Sequence, residues 1–312
     1  MRRALLPLLL TVLAGCGLEG GDHEVTPGWY PRTSMPTPRQ ENGVAAIDDH
    51  VYVVGGFNLD GPVLAVNEYQ PASNAWREVA PLPEPLHGPN VAAAGGRLYV
   101  LGGLNRDGAV GRAYVYDPGT NAWSERASMP EGTERGAAGV AVVDKRIYIL
   151  GGLRDGAVTD ASVYDTERDT WTSLPALPAP RAHLVAGAAN GHVYAIGGRG
   201  NRLFSDVDLL EPITGSWIPR NPMPTARASS AVAVLNDRIY VFGGEGARKD
   251  PFEVFSTAES YDAVNDEWRM LSDMRTPRHC FGGAAVEAGI YLPGGANRQG
   301  PAPLNLNELY VP

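Results

Sequence analysis

Five arginines stand in equivalent places along the chain. Arg39, Arg135, Arg181, Arg227 and Arg278 each lie sixteen residues before a Gly-Gly pair, and Leu86 takes the sixth such place. Guanidinium groups gathered at one site attract carboxylates, sulfates or phosphates and hold them bidentately. The competing reading is that each arginine is a repeated structural residue bonded to loop carbonyls. Two residues further on come Glu41, Gly88, Ala137, His183, Ser229 and Cys280. A repeated architecture does not require that variety, so these positions are candidates for function. Glu41 and His183 are residue types that can move protons as acid and base beside a bound carboxylate. A structural role competes for His183, and Cys280 reads as a small buried hydrophobe.

Other chemistries find no support in the spacing. No His/Cys cluster has the intervals of a zinc site, so no metal is expected. No glycine-rich turn joins a strand to a helix in the manner of a phosphate loop. A formal charge of −9 argues against nucleic acid, which needs a concentrated basic patch. No cofactor is expected.

The elements that must position these residues repeat. Six tryptophans, Trp29, Trp76, Trp123, Trp171, Trp217 and Trp268, are spaced 46 to 51 residues apart. Gly-Gly pairs begin in phase with them at Gly55, Gly102, Gly151, Gly197, Gly243 and Gly294. A tyrosine stands three residues before each pair, and Tyr69, Tyr116, Tyr164 and Tyr261 stand seven before a tryptophan, with Leu210 replacing one. Landmarks held in phase are the signature of a repeat architecture. Each copy reads as four short strands, for example 136–143 and then 146–152, followed by one with Tyr-Asp and one with Trp. Asp60-Gly61, Asp107-Gly108 and Asp155-Gly156 read as hairpin turns. With 38 Gly and 26 Pro, the composition suits many short strands. The expected fold is all-β: a six-bladed propeller over residues 28–312. The last copy ends at Pro312 before a fourth-strand tryptophan, while Trp29 has no copy of its own. The strand around Trp29 is therefore expected to complete the last blade and clasp the ring.

This order of Arg, apolar strand, Tyr, Gly-Gly, Tyr-Asp and Trp resembles the Kelch repeat. The departures are Leu86 for Arg, Leu210-Glu211 for Tyr-Asp and Val311 for the last Asp. The resemblance implies that the first strand of each blade lines the axis. It also implies that the loops after Gly-Gly share a face with the arginine turns, which ring symmetry arranges around one mouth of the channel. Arg199 and Asn201 would overhang that mouth, as would Arg248, Lys249, Asp250, Phe252 and Phe255 on a longer loop. Long loops on a rigid scaffold often carry recognition residues, although surface loops also tolerate neutral insertion. Some Kelch propellers are copper-radical galactose oxidases. Their Tyr-Cys crosslink and copper ligands find no counterpart here, with Cys280 the one spare thiol and six scattered histidines.

The N-terminus reads separately. Arg2 and Arg3 precede an apolar run over residues 4–14, shorter than the roughly 20 needed to span a bilayer. Leu13-Ala14-Gly15-Cys16 resembles the bacterial lipobox, which implies acylation of Cys16 and cleavage before it. Gly17, where Asp would favour inner-membrane retention, points to the outer membrane. Residues 1–16 are thus expected as a signal peptide and 17–27 as a flexible tether reaching about 35 Å when extended.

The expectation is an exported, lipid-anchored binding module of the cell envelope, monomeric, taking a protein or glycan ligand at an arginine-lined mouth. Arg39, Arg135, Arg181, Arg199, Arg227 and Arg278 are its candidate ligand-binding residues. The alternative is an isomerase of small sugars. Exported six-bladed Kelch proteins include sialic acid mutarotases, and Glu41 with His183 is compatible with that chemistry.

Overall fold

The first strand of every repeat is rich in Gly, Ala and Val, as in Gly43–Ile47, Val91–Ala94 and Gly139–Val143. Strands converging on an axis have little room. A Cβ on Gly43 would sit 2.1 Å from Cγ2 of Val91 in the next repeat. Further out the space widens, and aromatic side chains fill it.

The structure is a computed structural model that describes residues 26–211, 214–247, 253–287 and 289–312. The proposed signal peptide, Cys16, most of the tether, and Arg248, Lys249, Asp250 and Phe252 lie outside the described residues. Blade 1 runs outward through Gly43–Ile47, His50–Val54, Val66–Gln70 and Ala75–Glu78, each antiparallel to its neighbour. Five further four-stranded sheets repeat this plan around the axis. The expected six-bladed propeller is the fold, and no helix occurs among the described residues.

The clasp also forms as expected. Blade 6 takes Ala284–Val286, Gly289–Pro293 and Asn307–Val311 from one end of the chain. Its outermost strand is Gly28–Pro31, with Trp29 opposite Tyr310 and Tyr30 opposite Leu309. The interface between blades 6 and 1 buries Val51 and Tyr69 against Val286, Tyr291 and Leu309. That core is of the same kind as the one between blades 1 and 2, so the seam is packed like any other interface.

Polar clamps join the blades at their outer edges. The indole N–H of Trp123 donates to Ala80 O of the preceding blade at 2.8 Å, and Trp171 donates to Ala127 O at 2.7 Å. Trp29 does the same to Ser272 O at 3.0 Å, acting as the tryptophan of blade 6. The repeated tyrosine has a matching task. The Tyr116 hydroxyl donates to Asn121 Oδ1, and the same oxygen accepts the Ala80 amide. Tyr164 with Asp169 and Tyr261 with Asp266 repeat this arrangement. In blade 4 both partners change together, to Leu210 and Gly215.

One boundary differs from the sequence expectation. The innermost strand of blade 3 starts at Gly139 rather than 136. Gly136 bridges to Leu153 instead, and Ala137 turns left-handed at φ 49°. That turn recurs in every blade and builds the site.

Candidate functional site: the belted mouth of the propeller

Three consecutive residues of each blade lead into its inner strand, and they part in three directions. The first is the repeated arginine, or Leu86. The second bridges to the residue after the Gly-Gly pair: Gln40 to Phe57, His87 to Leu104, Ala182 to Arg199, Ala228 to Glu245 and His279 to Ala296. The third faces the axis.

The arginines correct the sequence reading. They do not line the mouth, because Arg39, Arg135, Arg181, Arg227 and Arg278 are all 0–1% exposed. Each guanidinium turns into its own blade and donates to backbone carbonyls. Arg278 reaches Leu292 O at 2.9 Å and Gly294 O at 2.8 Å. Each also meets a polar side chain on the third strand: Asn67, Ser162, Asp208, Glu259 and Glu308 respectively. An unpaired buried charge is costly, so the terminal guanidinium nitrogens are directed at fixed acceptors inside the fold, although the Nε of Arg39, Arg181, Arg227 and Arg278 has no partner. Burial pulls Arg39, Arg135, Arg227 and Arg278 down to about 10, which still leaves them charged at neutral pH. In blade 2 the departure is again paired. Leu86 is buried, and the third-strand position holds Tyr114, whose hydroxyl donates to Glu84.

The third residues form a closed belt. Glu41, Gly88, Ala137, His183, Ser229 and Cys280 all have φ between 49° and 57°. In this conformation each amide donates to the carbonyl of its counterpart in the preceding blade. Gly88 donates to Glu41, Ala137 to Gly88, His183 to Ala137 and Ser229 to His183, each at 2.8 Å. Cys280 then donates to Ser229 at 2.7 Å, and Glu41 to Cys280 at 2.6 Å. Left-handed φ is readily adopted by glycine alone, so five of the six positions hold strain that the belt offsets. Beneath the belt the channel opens into a cavity of about 390 Å³ walled by small apolar residues such as Ala45, Val140 and Gly187.

The chemistry at this mouth is one-sided. Blades 4, 5, 6 and 1 place His183, Ser229, Cys280 and Glu41 on the belt, while blades 2 and 3 place Gly88 and Ala137. Glu41 Oε2 lies 2.6 Å from His87 Nδ1, and Glu41 Oε1 lies 3.9 Å from Cys280 Sγ. Glu245 Oε1 accepts from Ser229 Oγ at 2.8 Å and pairs with Arg199, while its Oε2 stands 3.4 Å from His279 Nδ1. Burial pushes the Glu41 carboxyl up, but the His87 hydrogen bond and the charges of His183 and His279 hold it below its ordinary range. Glu245 is likewise opposed by burial yet brought down to about 2 by His279, Arg199 and Ser229. Burial pushes the Cys280 thiol up.

Beside the belt, a cavity of about 410 Å³ opens between blades 3, 4 and 5 and is lined by His183, Arg199, Arg202 and Leu203. Arg199 thus stands at the mouth as expected, apart from the five buried arginines. Glu41 and His183 also reach the mouth, where Glu41 is joined by His87 as a hydrogen-bond partner. Sequence reading missed His87, Glu245 and His279. Their signal was available in the positions directly after the arginine and directly after Gly-Gly, which also break the repeat. One further grouping has no signature in the sequence spacing. Glu245, His279 and Cys280 are buried with ligand atoms within 4.8 Å of one another, although they come from two blades.

The chain matches no curated relative. The family described as the KLHDC2/KLHL20/DRC7 Kelch-repeats domain matches it over residues 26–152 and again over 138–295. Together these spans take in the clasp strand and the Gly-Gly pair of every blade.

Proposed function

The chain belongs to the Kelch-repeat family, whose propellers generally bind proteins, and from that premise we propose that the belted mouth is its recognition face. The observation that carries this reading is the concentration of titratable side chains on one arc of that mouth, held at strained left-handed positions. Strain of about 1–3 kcal/mol per residue tends to persist where function depends on it. The partner is a protein or a glycan that presents an anionic group to the cavity beside Arg199, Arg202 and His183. Arg202 lies 4.0 Å over the Phe204 ring, which holds its planar head in place for such a contact. Immobilised full-length protein tested against envelope extracts and glycan arrays should retain a specific ligand. Retention of nothing above a blank surface would remove the reading.

Anchoring belongs to the same proposal. Acylated Cys16 would hold the module at the envelope, with residues 17–27 as the tether. Cys16→Ala should then move the protein from the membrane fraction to the soluble fraction, and unchanged fractionation would count against it.

A second reading is favoured by one contact. The 2.6 Å pair of Glu41 and His87 is an acid–base couple at the mouth of the channel, as a sugar isomerase would need. Equilibration of N-acetylneuraminate anomers, followed by NMR, should be accelerated on that reading, and a rate equal to buffer would exclude it.

A further inference from the structure

We propose that Cys280 Sγ, His279 Nδ1 and Glu245 Oε2, completed by Glu41 Oε1, bind one thiophilic divalent cation of the zinc kind. This goes beyond the recognition role of the mouth and does not depend on it.

The donor set is the first reason. One thiolate, one imidazole and carboxylate oxygens make a mixed S/N/O tetrahedral set, which suits zinc better than magnesium or calcium. The three closest ligand atoms already lie within 4.8 Å of each other, so small side-chain adjustments bring them onto one ion. Glu41 Oε1 is 3.9 Å from Cys280 Sγ on the next blade, close to a shared coordination sphere.

The second reason is the histidine. His279 is 2% exposed, and its Nδ1 has no hydrogen-bond partner. Its Nε2 lies 2.8 Å from Arg298 O, and a carbonyl can only accept, so Nε2 carries a hydrogen. An imidazole fixed by a backbone carbonyl through one nitrogen, with the other aimed at a thiol and a carboxylate, has the outer-shell arrangement of a metal ligand. Glu245 is prepared in the same way. Its Oε1 is occupied by Arg199 and Ser229 Oγ, and its Oε2 faces His279.

The ligands come from blades 5, 6 and 1, so the ion would staple the ring across the seam that Trp29 clasps. The test uses the full-length protein in detergent, stripped with a chelator and titrated with Co²⁺ and then Zn²⁺. One Co²⁺ per chain should bind with tetrahedral d–d absorption and a thiolate-to-cobalt charge-transfer band. Zn²⁺ should displace it, release protons and raise the thermal unfolding midpoint. Cys280→Ser should lose the charge-transfer band. Glu245→Gln, which keeps the side-chain shape, should keep that band and weaken binding at least about 10-fold. Absence of saturable binding to the wild-type protein would overturn the proposal, as would an unchanged charge-transfer band in Cys280→Ser.

Discussion

The amide of Glu41 donates to the carbonyl of Cys280 at 2.6 Å, joining residues 239 apart in sequence. This bond closes the belt at the same seam that the Trp29 strand closes on the outside. The ring is therefore fastened twice between its last and first blades, once at the axis and once at the rim. Covalent staples take no part, since Cys280 forms no disulfide among the described residues.

The outer fastening should be separable from the inner one. Trp29 is half-buried, packing 5.6 Å from Phe242 and 4.8 Å from Tyr310 between ring centroids. Trp29→Ala should cost about 2–3 kcal/mol, less than the about 3–5 typical of a fully buried tryptophan. Deleting residues 28–35 should cost more and lower cooperativity, because blade 6 then exposes a strand edge. Denaturant midpoints and slopes check both, and an unchanged midpoint in the deletion would show that the clasp is dispensable.

The buried arginines should behave as fold residues. Arg278→Leu strands the Glu308 carboxylate in the blade and should destabilise by about 3–5 kcal/mol. Arg39→Leu strands no carboxylate, because its side-chain partner is the neutral Asn67 amide, and should cost less. Blade 2 shows a natural exchange of this pair, Leu86 with Tyr114. Arg278→Leu combined with Glu308→Tyr should accordingly recover part of the loss. Equal unfolding midpoints for the single and double variants would contradict this account.

Acid should weaken blade 1 through Glu68, which pairs with Tyr52 and Arg77 on its two neighbouring strands. Burial pushes its carboxyl up, yet bonds from Arg77 at 2.8 and 2.6 Å and from Tyr52 bring it below its ordinary range. A carboxyl lowered in the folded state adds stability that is present above its unfolded value, near 4.5, and is lost as the pH falls below that. Glu68→Gln should flatten the stability profile in that acid range and leave the slope above neutrality alone. Chemical denaturation at a series of pH values measures it.

How much could be read in advance follows from what a repeat encodes. The period of Trp, Tyr and Gly-Gly marks strands, turns and blade number because each landmark has a fixed partner one blade away. Trp29 was legible as a clasp since its repeat lacked every other landmark. The arginines were misplaced for a related reason. Ring symmetry locates a Cα, but the direction of the side chain depends on acceptors such as Asn67 and Glu308, whose pairing with an arginine has no local signature. Glu41, His183 and Arg199 were legible because they break the pattern. His87, Glu245 and His279 break it one position away, where bridging to the loop after Gly-Gly brings them inward. Only the closed belt sets Glu245, His279 and Cys280 side by side, since they belong to two blades and 35 residues part the first from the last.

The central claim is that partners are recognised at the belted mouth. The most direct measurement is the affinity of a captured ligand for the wild-type protein, for Arg199→Ala with His183→Ala, and for Arg168→Ala on the opposite face. Arg168 is a suitable control, being 74% exposed at the far turn of blade 3. The mouth variant should bind at least about 10-fold more weakly, a loss of about 1.4 kcal/mol, while Arg168→Ala binds as the wild type does. Equal affinity of the mouth variant, or a loss confined to Arg168→Ala, would contradict the account.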